Sequence, residues 1–223
     1  MKKYDLHVHS KYSLDCLTEP SKLVKVYNKK GFSGFAITDH DHFAGYKEAL
    51  DYAKEKKIDI EVIGGCEFKS AKREIIGLYI QEIKKSNDFF EICDFIHEQG
   101  GFVVLPHPFD TSKKHALNPH SLSKEELRQI DVIEVFNSSV LDNKANAVAL
   151  EFAKQRNLPQ CAGSDSHLIW ACGSAATLIE SDIDLSIALR KGLTKVEGKI
   201  NPFFYRGIPS IIKFLRKSKL IGV

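Results

Sequence analysis

The chain has 223 residues, of which 43% are hydrophobic and 27% charged, with a formal net charge of +3. This balance fits one globular domain with a full core. The small charge, with both signs interspersed, argues against a long nucleic-acid track or a membrane surface as partner. No apolar run reaches the length of a membrane span, and "MKKYDLHVHS" lacks the apolar stretch of a signal peptide, so a cytoplasmic protein is expected. The five cysteines include no CxxC pair, which speaks against a disulfide framework and for buried thiols, although Cys16 and Cys66 neighbour candidate ligands.

In chain order, "YDLHVH" reads as a strand in which Leu6 and Val8 alternate against two histidines. "PSKLVKVYNKKG" reads as a helix opened by Pro20 and closed by Gly31. "GFAIT" is a strand ending at Asp39, "YKEALDYAKEKK" an amphipathic helix, and "IEVIGGCEF" and "EIIGLYI" are strands. "DFFEICDFIHEQGG" is a helix with a glycine stop before the strand "FVVLPH". Residues 110–119 form the best candidate for a long irregular loop. The helix "SKEELRQ", the strand "DVIEVFN", the helix "KANAVALEFAKQRN" and the short strand "PQCAGSD" follow. "SAATLIE" and a late helix around "IPSIIKFLRK" finish the chain. Strand–helix alternation predicts a mainly parallel sheet, closed or nearly closed into one barrel over residues 1–223, with about 201–223 an appended helical segment.

Metal-capable side chains recur just past the ends of these strands: His7 and His9; Asp39, His40 and Asp41 in "TDHDH"; Glu67; His107; Asp165 and His167. In a parallel barrel those ends converge on one face, where chemistry is built. Each element alone has a plainer reading, such as a solvated strand face, an Asp-rich turn or a helix cap. Their coincidence on five strands favours a metal site. Imidazole and carboxylate without paired thiolates suit Zn, Mn or Fe, and the surplus of donors points to two or three divalent ions. Such clusters generate hydroxide near neutral pH and clamp attacking and leaving oxygens, which suits phosphate-ester hydrolysis.

"HVHSKYSLD", "ITDHDH", "GCEF", "LPHP" and "GSDSH", in this order, resemble the successive motifs of the PHP (polymerase and histidinol phosphatase) family. The stretch from "NSSVLDNKANAV" to "GSDSH" resembles the PHP-associated region of small stand-alone members. The resemblance implies a distorted (β/α)7 TIM-like barrel and commonly three ions. It implies that His7, His9, Glu67 and Asp165 hold one ion, Glu67 as a bridge and His107 a second, and Asp15, His40 and His167 a third. Many members carry a histidine where "EIIGLY" places Glu74. Glutamate can coordinate the same ions, so Glu74 is expected as a ligand; the alternative is that it points elsewhere and leaves the second site weak.

For a phosphorylated substrate, Lys69, Arg73, Lys113, Lys114 and Asn137 are candidate contacts, with Arg73, Lys113 and Asn137 foremost. Asp41, Asp165 and His167 are candidates for passing a proton to the leaving group. Glu134, inside its strand, is a candidate for orienting a ligand histidine. The expected partner is a small phosphorylated substrate or a short nucleic-acid end, without a membrane. Two rival readings remain. An amidohydrolase also opens with HxH, but its bridging lysine and two spaced histidines are replaced here by Glu67 and "TDHDH". A non-catalytic metal-binding regulatory module is the other, and the filled ligand positions argue against it.

Overall fold

The structure, a computed structural model, describes residues 1–71, 73–113 and 116–222, with Arg73 described by its backbone alone. Two expected substrate contacts, Lys114 and the side chain of Arg73, lie outside the described residues, as does His115.

Strands β1 (Lys2–Val8), β2 (Gly34–Ile37), β3 (Glu61–Ser70), β4 (Arg73–Leu78), β5 (Phe102–Leu105), β6 (Val132–Asn137), β7 (Gln160–Gly163), β8 (Ala175–Ile179) and β9 (Lys195–Gly198) form one sheet in the order β7-β6-β5-β4-β3-β2-β1-β8-β9. The sheet curls until the chain leaving β7 returns to β1. The Asp165 N–H donates to the His7 carbonyl at 2.8 Å, and the His9 N–H donates to the Ser166 carbonyl at 3.1 Å. Seven strands therefore close a barrel at the end where the strands finish. β8 continues the sheet from the opposite end of β1, antiparallel through Lys2, Lys3 and Tyr4, and β9 lies beyond it.

Helices α1 (Pro20–Lys29), α2 (Ala44–Glu55), α3 (Phe89–Glu98), α4 (Lys124–Arg128), α5 (Lys144–Gln155), α6 (Leu185–Lys191) and α7 (Gly207–Lys217) complete the chain. One apolar cluster takes residues from each strand β1 to β8, among them Leu6, Ala36, Ile63, Leu78, Val104, Val132, Cys161 and Ile179, together with Leu185, Ala188 and Leu189 of α6. It fills the barrel interior, and α6 plugs it. Two further clusters join the outer sheet surface to α3 and α5 and to α1 and α2.

Three features depart from the expected pattern. β4 runs antiparallel to both β3 and β5, because the link from Ser70 to Arg73 is too short for a parallel crossover. Helix α6 and strand β9 are additions to it: the helix is short, and β9 is an exposed edge without apolar alternation. Finally, Leu6 packs inside the barrel while Val8 packs outside among the α1 and α2 residues. Residues two apart in a regular strand share a face. The register irregularity between Asp5 and Val8 breaks that alternation, and it directs the histidines into the end of the barrel.

Candidate metal centre

The site lies at the C-terminal ends of the strands. Past β5 and β7 the chain enters left-handed backbone at His107 (φ 32°) and Asp165 (φ 50°). Such conformations cost non-glycine residues about 1–3 kcal/mol each and persist where the surroundings over-determine them. Here they turn each side chain inward over the barrel mouth.

Three donors, from His7, His9 and Asp165, face one point, and Glu67 lies beside the two imidazoles. His7 Nε2 and His9 Nε2 are 3.2 Å apart; Asp165 Oδ1 lies 3.6 and 3.4 Å from them, and Glu67 Oε2 lies 3.7 and 3.5 Å from them. Ligands bound tetrahedrally at about 2.0–2.1 Å stand about 3.3–3.4 Å apart, so His7, His9 and Asp165 fit one ion, while Glu67 groups with His7 and His107. The second oxygen of Glu67 faces the other way: Oε1 is 3.2 Å from His107 Nε2, which lies 3.8 Å from Glu74 Oε2. A third group joins His9, His40 and His167, with Asp15 Oδ1 3.4 Å from His167 Nε2 and Asp15 Oδ2 3.7 Å from His40 Nε2. Asp15 Oδ1 and His107 Nδ1 are buried without a hydrogen-bond partner, and His40 Nδ1 faces Glu67 Oε2 at 2.9 Å. A native interior rarely leaves such atoms bare unless they serve an ion or water. The residues present therefore fit a cluster of divalent cations.

Supporting residues hold these rings in place. Glu134 accepts from His7 Nδ1 at 3.0 Å with one oxygen. Its other oxygen accepts the His107 N–H at 2.6 Å and the Asn137 amide at 2.9 Å. His9 Nδ1 lies 3.0 Å from Ser13 Oγ, which donates to Asp39 at 2.8 Å. Gly163 makes room for this: a Cβ there would lie 2.3 Å from His7 Cβ and 2.4 Å from Glu134 Oε1. Partners of this kind fix the tautomer and aim of a metal-binding imidazole.

The charges are strongly coupled. Burial favours neutral His7, but Asp165, Glu134 and Glu67 outweigh it and hold its pKa well above the ordinary value. Burial, reinforced by His167, drives His9 well below. Glu67 and Asp165 are buried, which opposes ionisation, yet His40 and His7 lower the first and Lys113 and His7 the second. Asp15 is lowered against its burial by His167 and His40.

The cleft above the site measures about 430 Å³. Asp15, His40, Glu67, Glu74, Asp165 and His167 line it, so Glu74 is turned inward rather than away. Lys113 reaches in and pairs with Asp165. Two expected residues lie outside the cleft lining. Asn137, expected at the substrate, is completely buried; its amide is directed to Glu134 and, at 3.3 Å, to Asp165, which makes it a support for ligands. Asp41, expected as a proton donor, accepts the Lys69 N–H at 3.1 Å and borders a separate groove with Lys84 and Lys85. An Asp in left-handed backbone (φ 49°) is here a turn residue. Asp165 and His167 stay at the cleft. His120 packs on Phe109 and Phe152, away from it. Unforeseen in the sequence, Arg206 and Lys213 of the C-terminal segment line the cleft; their spacing from the ligands along the chain carries no motif.

All five cysteines are buried and unpaired. Burial pushes the Cys16 thiol up to about 12 and Cys66 well above its ordinary value, so neither is poised as a thiolate. Among the described residues, no helix is long and apolar enough to cross a membrane.

Comparison with known proteins bears on the family and the fold. The family described as PHP domain matches residues 5–166, and the one described as PHP-associated matches residues 143–194. An uncharacterised protein of Methanocaldococcus jannaschii is 35% identical over 176 residues, 78% of this chain and 68% of that protein. A 5'-3' exoribonuclease of Haemophilus influenzae is 44% identical over 69 residues, covering 31% of this chain and 24% of the enzyme. A two-domain Bacteroides vulgatus protein containing a predicted PHP-like metal-dependent phosphoesterase superposes with a TM-score of 0.72 at 20% identity, over 89% of this chain and 65% of that one. The chain thus spans less than two thirds of the length of that protein. This chain belongs to the family described as PHP domain, and it shares the barrel of the Bacteroides vulgatus protein.

Proposed function

We propose that this protein hydrolyses a phosphate ester, either a small phosphomonoester or the terminal phosphate of a nucleotide or short oligonucleotide, at a cluster of two or three divalent ions. The carrying observation is the convergence of His7, His9 and Asp165, with Glu67 and His107 adjoining, beneath a cleft rimmed by Lys69 and Lys113. The partial likeness to an exoribonuclease supports the nucleotide branch of this reading. Zn, Mn or Fe held by these donors would supply Lewis acidity toward phosphoryl oxygens and acidify a water. The chain's own residues do the rest. Glu67, with its two oxygens facing two ligand groups, keeps neighbouring ions in register. Glu134 and Ser13 aim His7 and His9. Lys113, whose pKa the facing Asp165 and Glu67 raise against its burial, stays charged and meets the substrate's phosphate. In hydrolysis a water oxygen bonds to phosphorus as the ester P–O bond breaks, and the proton that water gives up is passed by His167, whose pKa Asp15 raises against its burial, to the departing alkoxide.

The test is a panel of phosphomonoesters, nucleotides and 5'-phosphorylated short oligonucleotides, assayed on protein reconstituted with Mn, Zn or Fe and analysed for metal. Turnover abolished by a chelator and restored by one of these ions is expected. A metal-replete protein inert on the whole panel overturns the reading.

A further inference from the structure

The C-terminal segment lies past residue 194, where the family matches end, yet it walls the cleft. Helix α7 divides into faces. Ile212 packs with Leu168 and Ala171, joined by Ile208 and Tyr205. Arg216, one turn on, is buried and donates from Nη1 to the Lys11 and Ser13 carbonyls, both at 2.8 Å. These anchors fasten the helix to the two loops that carry His167 and Asp15. A second face, at the three-to-four-residue spacing of one helical side, sets Arg206, Pro209, Ser210 and Lys213 against the cleft.

The two cations on that face are poorly matched by protein partners. Arg206 donates from Nη2 to Ser112 Oγ at 2.5 Å and lies 3.9 Å from Asp110, while its Nη1 is buried with no acceptor. Lys213 has Asp15 Oδ2 at 3.3 Å and remains 37% exposed. Asp15 also faces His40 and His167, so an ion taken by that group removes the carboxylate Lys213 leans on. Lys213 and the bare nitrogen of Arg206 then need another anion, and a guanidinium beside an ammonium suits phosphate oxygens.

Building on the phosphoesterase reading, we propose that Arg206 and Lys213 form a phosphate-binding subsite, making the C-terminal segment part of the active site. Arg216 is a positioning residue that holds this segment over the Asp15 loop.

Binding of inorganic phosphate to the full chain loaded with Mn, measured calorimetrically beside metal content and ester turnover, tests it. Arg206→Gln and Lys213→Gln should each weaken phosphate about tenfold, with metal content unchanged. Lys213→Arg should restore most of the affinity, and Lys195→Gln, on the exposed strand β9 away from the cleft, should leave it as it was. Phosphate affinity equal to that of the unaltered protein in the double variant overturns the subsite. So does metal loss in parallel with phosphate loss, which would make Lys213 merely a support for Asp15. If the unaltered protein binds phosphate through these residues but turns over no ester, the subsite stands and the phosphoesterase reading falls. If ester is turned over while phosphate affinity is indifferent to both substitutions, the subsite falls and the phosphoesterase reading stands.

Discussion

The floor and the rim of the cleft are built on opposite physical terms. The floor ligands His7, His9, Glu67, His107 and Asp165 are at most 3% exposed, come from the ends of four strands, and are cross-tied through Glu134, Asn137 and Ser13. The rim cations Lys69, Lys113, Arg206 and Lys213 come from strand extensions, loops and the C-terminal segment and keep part of their surface in water. Ion coordination tolerates errors of a few tenths of an ångström, so its donors sit in the part of the fold that moves least. Substrate must enter and leave, so the groups facing it sit where the chain is less constrained. The difference predicts that damage to the floor removes metal, fold and activity together, whereas damage to the rim changes binding alone.

The sharpest break is at the bridge. Glu67→Gln takes one charge from a buried cluster, a loss of about 3–5 kcal/mol in comparable settings. Turnover should fall by on the order of a thousandfold, with elemental analysis showing metal loss. Gly163→Ala drives a methyl into His7 and Glu134; overpacking of this kind costs about 1–3 kcal/mol. A lowered Tm and reduced metal uptake are expected, and an unchanged melting curve would show that the floor yields more easily than its close contacts imply.

One step weaker, Glu134→Gln keeps the shape but frees the His7 ring, and should lower metal affinity by about 10–100-fold in a competition titration with a chromogenic chelator. The metal-free protein should also be acid-labile at its floor. Glu67 and Asp165 have pKa values lowered on folding, so their stabilisation is present above the ordinary carboxylate range, about pH 4, and is lost as pH falls below it. Thermal melts between pH 6 and pH 3 should show this loss, and Asp165→Asn should blunt it. The smallest effect is expected at Asp41. Asp41→Asn should change turnover by no more than about twofold, the scale of ordinary surface substitutions; a large drop would return Asp41 to the chemistry.

Much of this floor is legible in the chain. HxH, "TDHDH", "GCEF", "LPHP" and "GSDSH" each follow an apolar run, and barrel geometry brings strand ends together whatever the loops do. Glu134 is legible as an acid inside an apolar strand, where burial requires a partner. Asn137 and Asp41 are not, because a strand-end position does not say whether a side chain turns toward the cleft or back into the wall. The antiparallel β4 follows from a link too short for crossover, a signal present in "SAKRE" but outweighed by the regular alternation around it.

By itself the sequence supplied the candidate donors and the barrel class, since these follow from residue types repeated at strand ends and from apolar periodicity, both local properties, while its ordered motifs carried the resemblance to the family. Only the tertiary structure decided that a register break separates Leu6 from Val8, that Asn137 turns back into the wall, and that Arg206 and Lys213 reach a site whose ligands all lie far from them in sequence. Those facts depend on how strands close and where a terminal helix docks, and they arise from packing between segments that no local pattern encodes.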